Sequence, residues 1–188
     1  YELGAKAMNP DATVTAVYTG AWNDPTKERA ATQALIDQGA DAIGQHVDTP
    51  TPQIVAQENG VKGTGHHRDF REFAPEATVC SSVWVWDRFL IDELKKIKAG
   101  NWITKPYGAL LSMGEGGTDI ACCGKGVDAE EEAKIMAARK AIMDGTFQVY
   151  AGPLKDRDGN LRVKEGEVLS DGDLWQMDWF IDGVITQK

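Results

Sequence analysis

Aromatic and ionisable side chains follow three short apolar stretches of this sequence. They are Trp22, His46, Asp48, His67 and Asp69. An indole can stack on a flat ring, a carboxylate accepts hydrogen bonds from N–H or hydroxyl groups, and an imidazole can donate or accept. Side chains of these types, gathered in one place, would bind a flat heterocycle with polar edges.

Each of these residues also has a purely structural interpretation. Trp22 could be a core tryptophan beneath its loop, and Asp48 could cap the helix that follows it. Asp69 could form a turn with its own backbone. His46 and His67 could be solvated or buried without binding anything. The sequence leaves both interpretations open for all five.

Two further tryptophans, Trp84 and Trp86, are two positions apart in a stretch that we predict to be a strand. Alternate residues of a strand face the same way, so both indoles are expected on one side. Core packing is the structural interpretation of one of them. The other could join the ligand-binding residues.

Alternating strands and helices must position these side chains. The predicted strands are Thr13–Tyr18, Ala40–Ile43, Val61–Thr64 and Thr78–Val85, and the predicted helices are Tyr1–Met8, 25–38, Pro52–Asn59 and 87–99. Asp24-Pro25 is a strong helix start, because the carboxylate caps free N–H groups and proline needs no partner there. The alternation predicts an α/β fold, with a parallel sheet flanked by helices and right-handed crossovers. Ligands of such sheets bind at the carboxyl ends of the strands.

The remainder of the chain has a different pattern. It predicts extended chain over Trp102–Gly108 and Leu110–Cys122, a helix opened by the capping box Asp128/Glu131, a strand Phe147–Tyr150, a hairpin at Asp158-Gly159 and a short helix opened by Ser170. Asp-Gly between strands is the turn sequence that the twist of a hairpin favours.

Composition excludes several functions. Acidic residues outnumber basic ones by 29 to 20, and the net charge of −9 argues against a nucleic-acid surface, which needs a basic stripe. No apolar run approaches the roughly 20 residues that span a bilayer. The Gly114–Gly117 run lacks the strand, lysine and helix context of a phosphate loop. We therefore expect no cofactor.

Three cysteines do not predict a disulfide scaffold. Cys80 lies in a strand-like run and is expected to be a small buried thiol, whereas Cys122 and Cys123 are adjacent and awkward partners for a bridge. No CxxC pair is present, so structural zinc is not expected. A reactive or metal-binding vicinal pair is left open.

Several motifs together resemble the basic membrane protein family of ABC-transporter substrate-binding proteins, which are related to purine nucleoside receptors. They are Asn9–Asp11, Gly20–Lys27, Gly39–Ile43, Gln45–Pro50, Glu58–Val61, Ala74-Pro75, Trp84–Trp86, Gly152–Asn160 and Leu169–Leu174. Each motif alone is weak, but the combination is specific and spans nearly the whole chain.

The resemblance implies a periplasmic-binding-protein type I-like fold of two lobes. The chain is expected to lack the first lobe's opening strands, so that residues 1–100 form a ligand-binding lobe. Residues 101–188 would cross back and pack on the other, incomplete lobe. A purine base or nucleoside would bind between the lobes, and an ABC permease would be the partner. The location would be periplasmic or otherwise extracytoplasmic, with a lipid anchor as the only link to a membrane.

One departure from the relatives bears on the ligand. In the nucleoside-binding members of the family, a lysine reaches the ribose from about the position of Trp84-Val85-Trp86. Because this chain has no lysine there, the resemblance favours a bare purine base over a nucleoside.

Two other functions are compatible with the residues. His46, Asp48, His67 and Asp69 could form the metal site of a hydrolase if their loops converge, although no tight ligand spacing such as HExxH is present. A sensor domain of a two-lobed regulator is the other possibility. We expect a binding protein with no catalytic residues and no metal.

Overall fold

The computed structural model describes residues 1–104 and 109–187. Its helices are α1 (Glu2–Met8), α2 (Pro25–Asp37), α3 (Thr51–Glu58), α4 (Trp86–Lys98), α5 (Ala129–Met143) and α6 (Asp171–Trp175). Its strands are β1 (Val14–Val17), β2 (Ala42–Gly44), β3 (Lys62–Gly65), β4 (Thr78–Trp84), β5 (Thr118–Cys122), β6 (Leu154–Lys155), β7 (Leu161–Val163) and β8 (Val184–Gln187).

The main sheet has the order β2-β3-β4-β5, and β2, β3 and β4 run parallel to one another. Helix α3 packs on β2 and β3, and α2 packs on α3. The predicted parallel sheet flanked by helices is therefore confirmed for this part of the chain. The loops that bear His46 and His67 begin at its carboxyl edge, where Trp84 ends β4.

Local sequence signals explain where the helices begin. The Asp24 side chain accepts a hydrogen bond from the Lys27 backbone N–H at 3.1 Å, and Pro25 is the first helical residue of α2. The capping box of Asp128 with Glu131 opens α5 as predicted. Ser170 opens α6 in the same way. These side chains satisfy the N–H groups that a helix start leaves without partners.

A small apolar core lies between the helices and the sheet. Ile43, Ala56, Ala74 and Ala77 are buried together, and partly buried apolar residues of α2 and of the turns before β2 and β3 pack against them. Small side chains let α3 approach the sheet closely. This packing fixes the position of β2 and β3, which carry the loops of the candidate site.

The sheet differs from the prediction at both edges. Strand β5 is antiparallel to β4, and β1 pairs with β8 in a separate two-stranded sheet. An antiparallel partner needs no helical crossover of fixed hand, and β5 follows β4 in sequence after α4. Long-range pairing of this kind leaves no local signal in the sequence. Strands β6 and β7 form the predicted hairpin around Asp158-Gly159.

Three local predictions need correction. Trp84 ends β4 whereas Trp86 opens α4, so the two tryptophans do not share a strand face. Residues Phe147–Tyr150 form no strand, because the chain turns there directly after α5. Within Leu110–Cys122, only Thr118–Cys122 is a strand. The predicted extended segment Trp102–Gly108 lies partly outside the described residues.

The expectation of no disulfide is wrong. Cys80 and Cys122 are cross-strand partners in β4 and β5, with Cα atoms 4.5 Å apart, and they form a disulfide. Cys123 is free, and burial raises the pKa of its thiol. The sequence could not reveal this bridge, because the antiparallel β4–β5 pairing alone brings the two cysteines together.

The division at residue 100 stays a prediction, although β5, from the second part, completes the main sheet of the first. None of the helices within residues 1–104 and 109–187 combines the length and the apolar character needed to cross a membrane.

Candidate ligand-binding site

Three neighbouring parallel strands end at the same edge of the sheet. Strand β2 ends at Gly44, β3 at Gly65 and β4 at Trp84. His46 and His66 follow directly in the first two loops, so ring-bearing side chains stand side by side at the carboxyl edge. This is the edge where open α/β sheets bind their ligands.

The rings form a continuous series, which we call the ring cluster: Trp22, His46, His66, His67, Trp84 and Trp86. Centroid distances along the series are 5.5 Å from Trp22 to His46, 4.1 Å from His46 to His66, 5.6 Å from His66 to Trp84 and 5.5 Å from Trp84 to Trp86, and His67 lies beside His66 and Trp84. The four pairs along the series meet edge to face, the arrangement that aromatic quadrupoles favour. All three histidines of the chain belong to the cluster.

Trp22 lies on the surface of its loop. It is 63% exposed, and its ring contacts that of His46 instead of packing in the core. The Asp48 backbone N–H donates a hydrogen bond to the Trp22 carbonyl oxygen at 2.8 Å. The first and second loops are therefore tied to each other beside the exposed indole.

A buried carboxylate strengthens this tie. Glu28, on the first turn of α2, is 1% exposed and accepts a hydrogen bond from the Asp24 backbone N–H at 2.9 Å. Its other carboxylate oxygen accepts a hydrogen bond from the Thr49 hydroxyl. Because Asp24 follows Trp22 and Thr49 follows Asp48, Glu28 holds both loops in a fixed relation. No local sequence pattern predicts this role, because it depends on a contact between residues 21 positions apart.

Gln45 organises the second loop from within. Its side-chain nitrogen donates to the carbonyl oxygens of Val47 and Thr49, both at 2.9 Å. Two bonds from one amide hold the chain in a tight arc around His46. The ring of His46 is thereby presented outward, between those of Trp22 and His66.

His67 has a backbone conformation that is rare for a residue with a side chain. Its φ is +62°, in the left-handed region that glycine prefers. The His67 Nε2 atom lies 3.3 Å from the Asp48 backbone oxygen and 3.7 Å from Asp48 Oδ1. Strained backbone of this kind persists only where the surroundings impose it, and it is frequent at ligand sites.

His66 is the site residue that the sequence analysis missed. It lies at the centre of the ring cluster, and its Nδ1 is 3.3 Å from the Ser82 hydroxyl oxygen. The predicted third strand ended at Thr64, whereas β3 continues to Gly65. With the correct end, His66 is the first residue past the strand, and this signal would have found it.

The Asp69 carboxylate is paired with Arg71. It accepts hydrogen bonds from the Arg71 side chain, at 2.9 Å to Nε and 2.7 Å to Nη2, and from the Arg71 backbone N–H at 2.9 Å. These bonds hold the pKa of the Asp69 carboxyl below its usual value. The side chain therefore forms a turn, which was one of the two interpretations of this residue.

The ring cluster borders an apolar cavity of about 670 Å³. Trp84 and Trp86 line it together with Phe89, Leu110, Leu174 and Trp175. Trp84 and Trp86 remain 47% and 55% exposed, respectively. Indole surface is thus accessible at both ends of the cluster, at Trp22 and at these two tryptophans.

Burial, as the largest cause, and the neighbouring His46 and His67 together lower the pKa of His66 from its ordinary 6.5 to about 4, whereas Asp48 opposes the shift. Between pH 6.5 and 4 the unfolded chain binds a proton at this residue that the folded chain does not bind. The His66 contribution to stability is therefore expected to fall as the pH falls through this window, and to level off below it. Urea unfolding at several pH values would measure this slope.

The His66→Asn variant is the control for that prediction. It is expected to unfold with a smaller dependence on pH between 6.5 and 4 than the parent chain. An identical pH dependence in both proteins would show that His66 is not the group that titrates.

Within the described ranges, His46, Asp48, His67 and Asp69 do not gather into a metal site. The group of three or more possible ligands found there, with atoms within 4.8 Å of one another, is Cys80, Cys122 and Cys123. The geometry therefore gives no support to the hydrolase alternative.

The family of PnrA-like ABC transporter substrate-binding proteins, Bmp, matches residues 1–151. A purine-binding protein from Brucella abortus is 35% identical over 185 residues, which is 98% of this chain and 52% of that protein. A Haloferax volcanii protein, named as an ABC transporter glucose-binding protein, is 31% identical over 97% of this chain and 44% of its own length. The chain spans about half the length of these curated relatives.

Solved structures share the fold. A transcriptional activator of the comK gene from Bacillus halodurans aligns with a TM-score of 0.64 at 19% identity, over 77% of this chain and 50% of that one. An ABC transporter solute-binding protein from Conexibacter woesei aligns with a TM-score of 0.57 at 21% identity, over 78% of this chain and 49% of that one. The fold is periplasmic-binding-protein type I-like, as the sequence predicted.

The motifs of the first and second loops, the parallel sheet and the family match all indicate the same protein family. Substrate-binding proteins of ABC transporters are extracytoplasmic. The chain belongs to the PnrA-like family of ABC transporter substrate-binding proteins.

Proposed function

We propose that this chain binds a purine base at the ring cluster and delivers it to an ABC permease. The observation that carries the proposal is the convergence of Trp22, His46, His66 and Trp84 at the carboxyl edge of one parallel sheet. A flat ring can stack on an indole, with each base–aromatic stack worth about 1–3 kcal/mol. No bond is made or broken in this function.

Polar groups around the rings suit the edges of a purine. A neutral imidazole can donate through one nitrogen and accept through the other, and a purine edge presents both kinds of group. The low pKa of His66 keeps its imidazole neutral at physiological pH. The half-exposed Asp48 carboxylate can accept hydrogen bonds from ring N–H or exocyclic amino groups.

The proposed ligand set is Trp22, His46, Asp48, His66, His67, Trp84 and Trp86. Asp69 was a candidate on sequence grounds, but we leave it out because Arg71 holds its carboxylate. Trp84 and Trp86 offer indole surface where nucleoside-binding relatives have a lysine for the ribose. A bare base is therefore the preferred ligand, and a nucleoside is the second choice.

The names of two relatives point to different ligands, purine and glucose. A sugar also stacks on an indole, but it needs many hydrogen-bonding groups around its hydroxyls. The ring cluster offers rings in series instead, which favours a flat heterocycle. The purine-binding relative is also the more similar of the two.

A calorimetric titration tests the ligand class. Adenine, guanine, adenosine and glucose would be added separately to the purified chain and, where the whole gene product is available, to that protein as well. Saturable binding of a purine base and weaker binding of adenosine are expected, with no heat from glucose. Saturable binding of glucose with no response to any purine would overturn the proposal.

Loop positioning by Glu28 gives a second prediction. The Glu28→Gln variant keeps the size of the side chain but removes the charge that strengthens its two hydrogen bonds. If the variant destabilises the ordered conformation of the two loops by about 1 kcal/mol, purine binding should weaken roughly fivefold. Calorimetry with adenine would measure the change, and Glu58→Gln, which breaks only the exposed ion pair with Arg29, is the matched control.

The proposal extends to the cellular setting. A substrate-binding protein works next to its permease, and a lipid anchor would hold it at the membrane surface. Metabolic labelling of the intact gene product with a radioactive fatty acid tests the anchor. An unlabelled, freely released protein would contradict the anchor without affecting the ligand.

A further inference from the structure

All three cysteines of the chain lie together at the junction of β4 and β5. Cys80 and Cys122 are cross-strand partners, and Cys123 is the residue directly after β5. The three Sγ atoms all lie within 4.8 Å of one another. We call this group the sulfur cluster. It shares no residue with the ring cluster.

The backbone holds these sulfur atoms together independently of the disulfide. Residues 80–84 of β4 pair with residues 118–122, the whole of β5, and Cys80 lies opposite Cys122 in this pairing, with their Cα atoms 4.5 Å apart. The Cys123 carbonyl oxygen accepts a hydrogen bond from Arg71 Nη1 at 3.1 Å, which fixes the residue after the strand. Reduction of the bridge therefore leaves three thiols at an already assembled site.

Burial opposes free thiolates at this site, and a bound cation would compensate their charge. Cys80 is only 9% exposed, and Cys122 and Cys123 are half-buried, so the sulfur atoms are largely shielded from water. The Arg71 guanidinium, which is also paired with Asp69, donates to the Cys123 carbonyl oxygen and lies beside the cluster, whereas the Glu132 charge acts against a thiolate there. A complex of three thiolates with a divalent cation carries one net negative charge, which a neighbouring guanidinium stabilises.

We propose that the reduced sulfur cluster binds one soft divalent cation, such as Zn²⁺ or Cd²⁺, through all three cysteines. Zinc–sulfur bonds of about 2.3 Å in tetrahedral geometry place the sulfur atoms roughly 3.8 Å apart, and the three Sγ atoms of the cluster already lie within 4.8 Å of one another. Three thiols lose three protons as three metal–sulfur bonds form. Water completes the fourth position.

The disulfide and the cation exclude each other. In the oxidised chain, Cys80 and Cys122 share their bond and only Cys123 offers a thiol. A dithiol reductant converts the bridge into two thiols and itself becomes a disulfide, so two electrons pass to the protein. The site is thus closed under oxidising conditions and opens on reduction.

A cadmium titration of the two redox forms tests the proposal. One sample stays oxidised, and the other is reduced with dithiothreitol and desalted without oxygen. The thiolate-to-cadmium absorption band in the ultraviolet is expected to grow to one Cd²⁺ per chain in the reduced sample and to stay absent in the oxidised one. Thiol counting beforehand should give one free thiol before reduction and three after it.

Cys123→Ser is the decisive variant, because it keeps the disulfide and removes the third ligand. The reduced variant is expected to bind Cd²⁺ at least tenfold more weakly than the reduced parent. Lys125→Ser, which changes an exposed residue two positions further on, should bind like the parent. Equal affinity of Cys123→Ser and parent would overturn the three-sulfur site, as would equal binding by the oxidised chain.

Circular dichroism shows whether reduction unfolds the chain. If secondary structure is lost on reduction and Cd²⁺ restores it, the cation stabilises the assembled site and the proposal is supported. If Cd²⁺ does not restore it, the backbone does not hold the cluster together and the proposal fails. Neither outcome depends on the purine ligand.

Discussion

Replacing Trp22 with alanine is expected to weaken binding of a purine base by about 1–3 kcal/mol, roughly 5- to 150-fold in affinity. The indole is largely exposed and next to His46, so its removal takes away stacking surface without opening a hole in the core. Calorimetric titration with adenine would measure the loss. The free energy of unfolding should change little.

Two variants make this result specific. Trp22→Phe keeps a flat ring and should retain most of the affinity, whereas Trp102→Ala removes an exposed tryptophan outside the ring cluster and should have no effect. Unchanged affinity in Trp22→Ala would remove this residue from the ligand site. A large loss of stability with it would mean that the ring supports the loop instead.

Removing the disulfide is expected to have the largest effect on stability. The bridge links residues 42 positions apart, and a loop of this length restricts the unfolded chain enough to stabilise the fold by about 2–4 kcal/mol. The double variant Cys80→Ala with Cys122→Ala should unfold at correspondingly lower urea concentration. Urea unfolding followed by circular dichroism would measure the difference.

Cys123→Ser is the matched control, since it removes a cysteine of the same cluster and leaves the bridge intact. It should unfold like the parent chain. Dithiothreitol should lower the stability of the parent and of Cys123→Ser but not that of the double variant. If the reductant changes none of the three proteins, the bridge does not form in solution.

Much of the site-bearing region could be predicted because its signals are local. Asp24-Pro25 specifies the start of α2 through side-chain capping and a fixed φ angle, and both effects act within a few residues. The alternation of β2, α3 and β3 then dictates parallel strands. A common carboxyl edge for the loops of His46 and His67 follows from that topology alone.

The features that were missed depend on contacts distant in sequence. The pairing of β1 with β8 joins strands far apart in the sequence, and the antiparallel β5 pairs with β4 although α4 lies between them in the sequence. The Cys80–Cys122 bridge follows from that second pairing. No periodicity or turn motif encodes these partners, because strand pairing is chosen by the whole fold.

At the site itself, residue types were predictable but their neighbours were not. The exposed Trp22 was one of two interpretations, and only tertiary packing distinguishes an indole under a loop from one on its surface. The central position of His66 depended on a strand boundary one residue beyond the predicted one. The role of Glu28 depends on a contact 21 residues away, with Thr49.

The central claim is that a purine stacks at the ring cluster, and nuclear magnetic resonance of the indole N–H groups tests it most directly. The chain has six tryptophans, and each signal can be assigned with a single Trp→Phe variant. Adenine is expected to shift the signals of Trp22 and Trp84 most strongly and to leave those of Trp102 and Trp179 in place. If Trp22 and Trp84 stay unchanged at saturating adenine, the purine does not bind at this edge of the sheet.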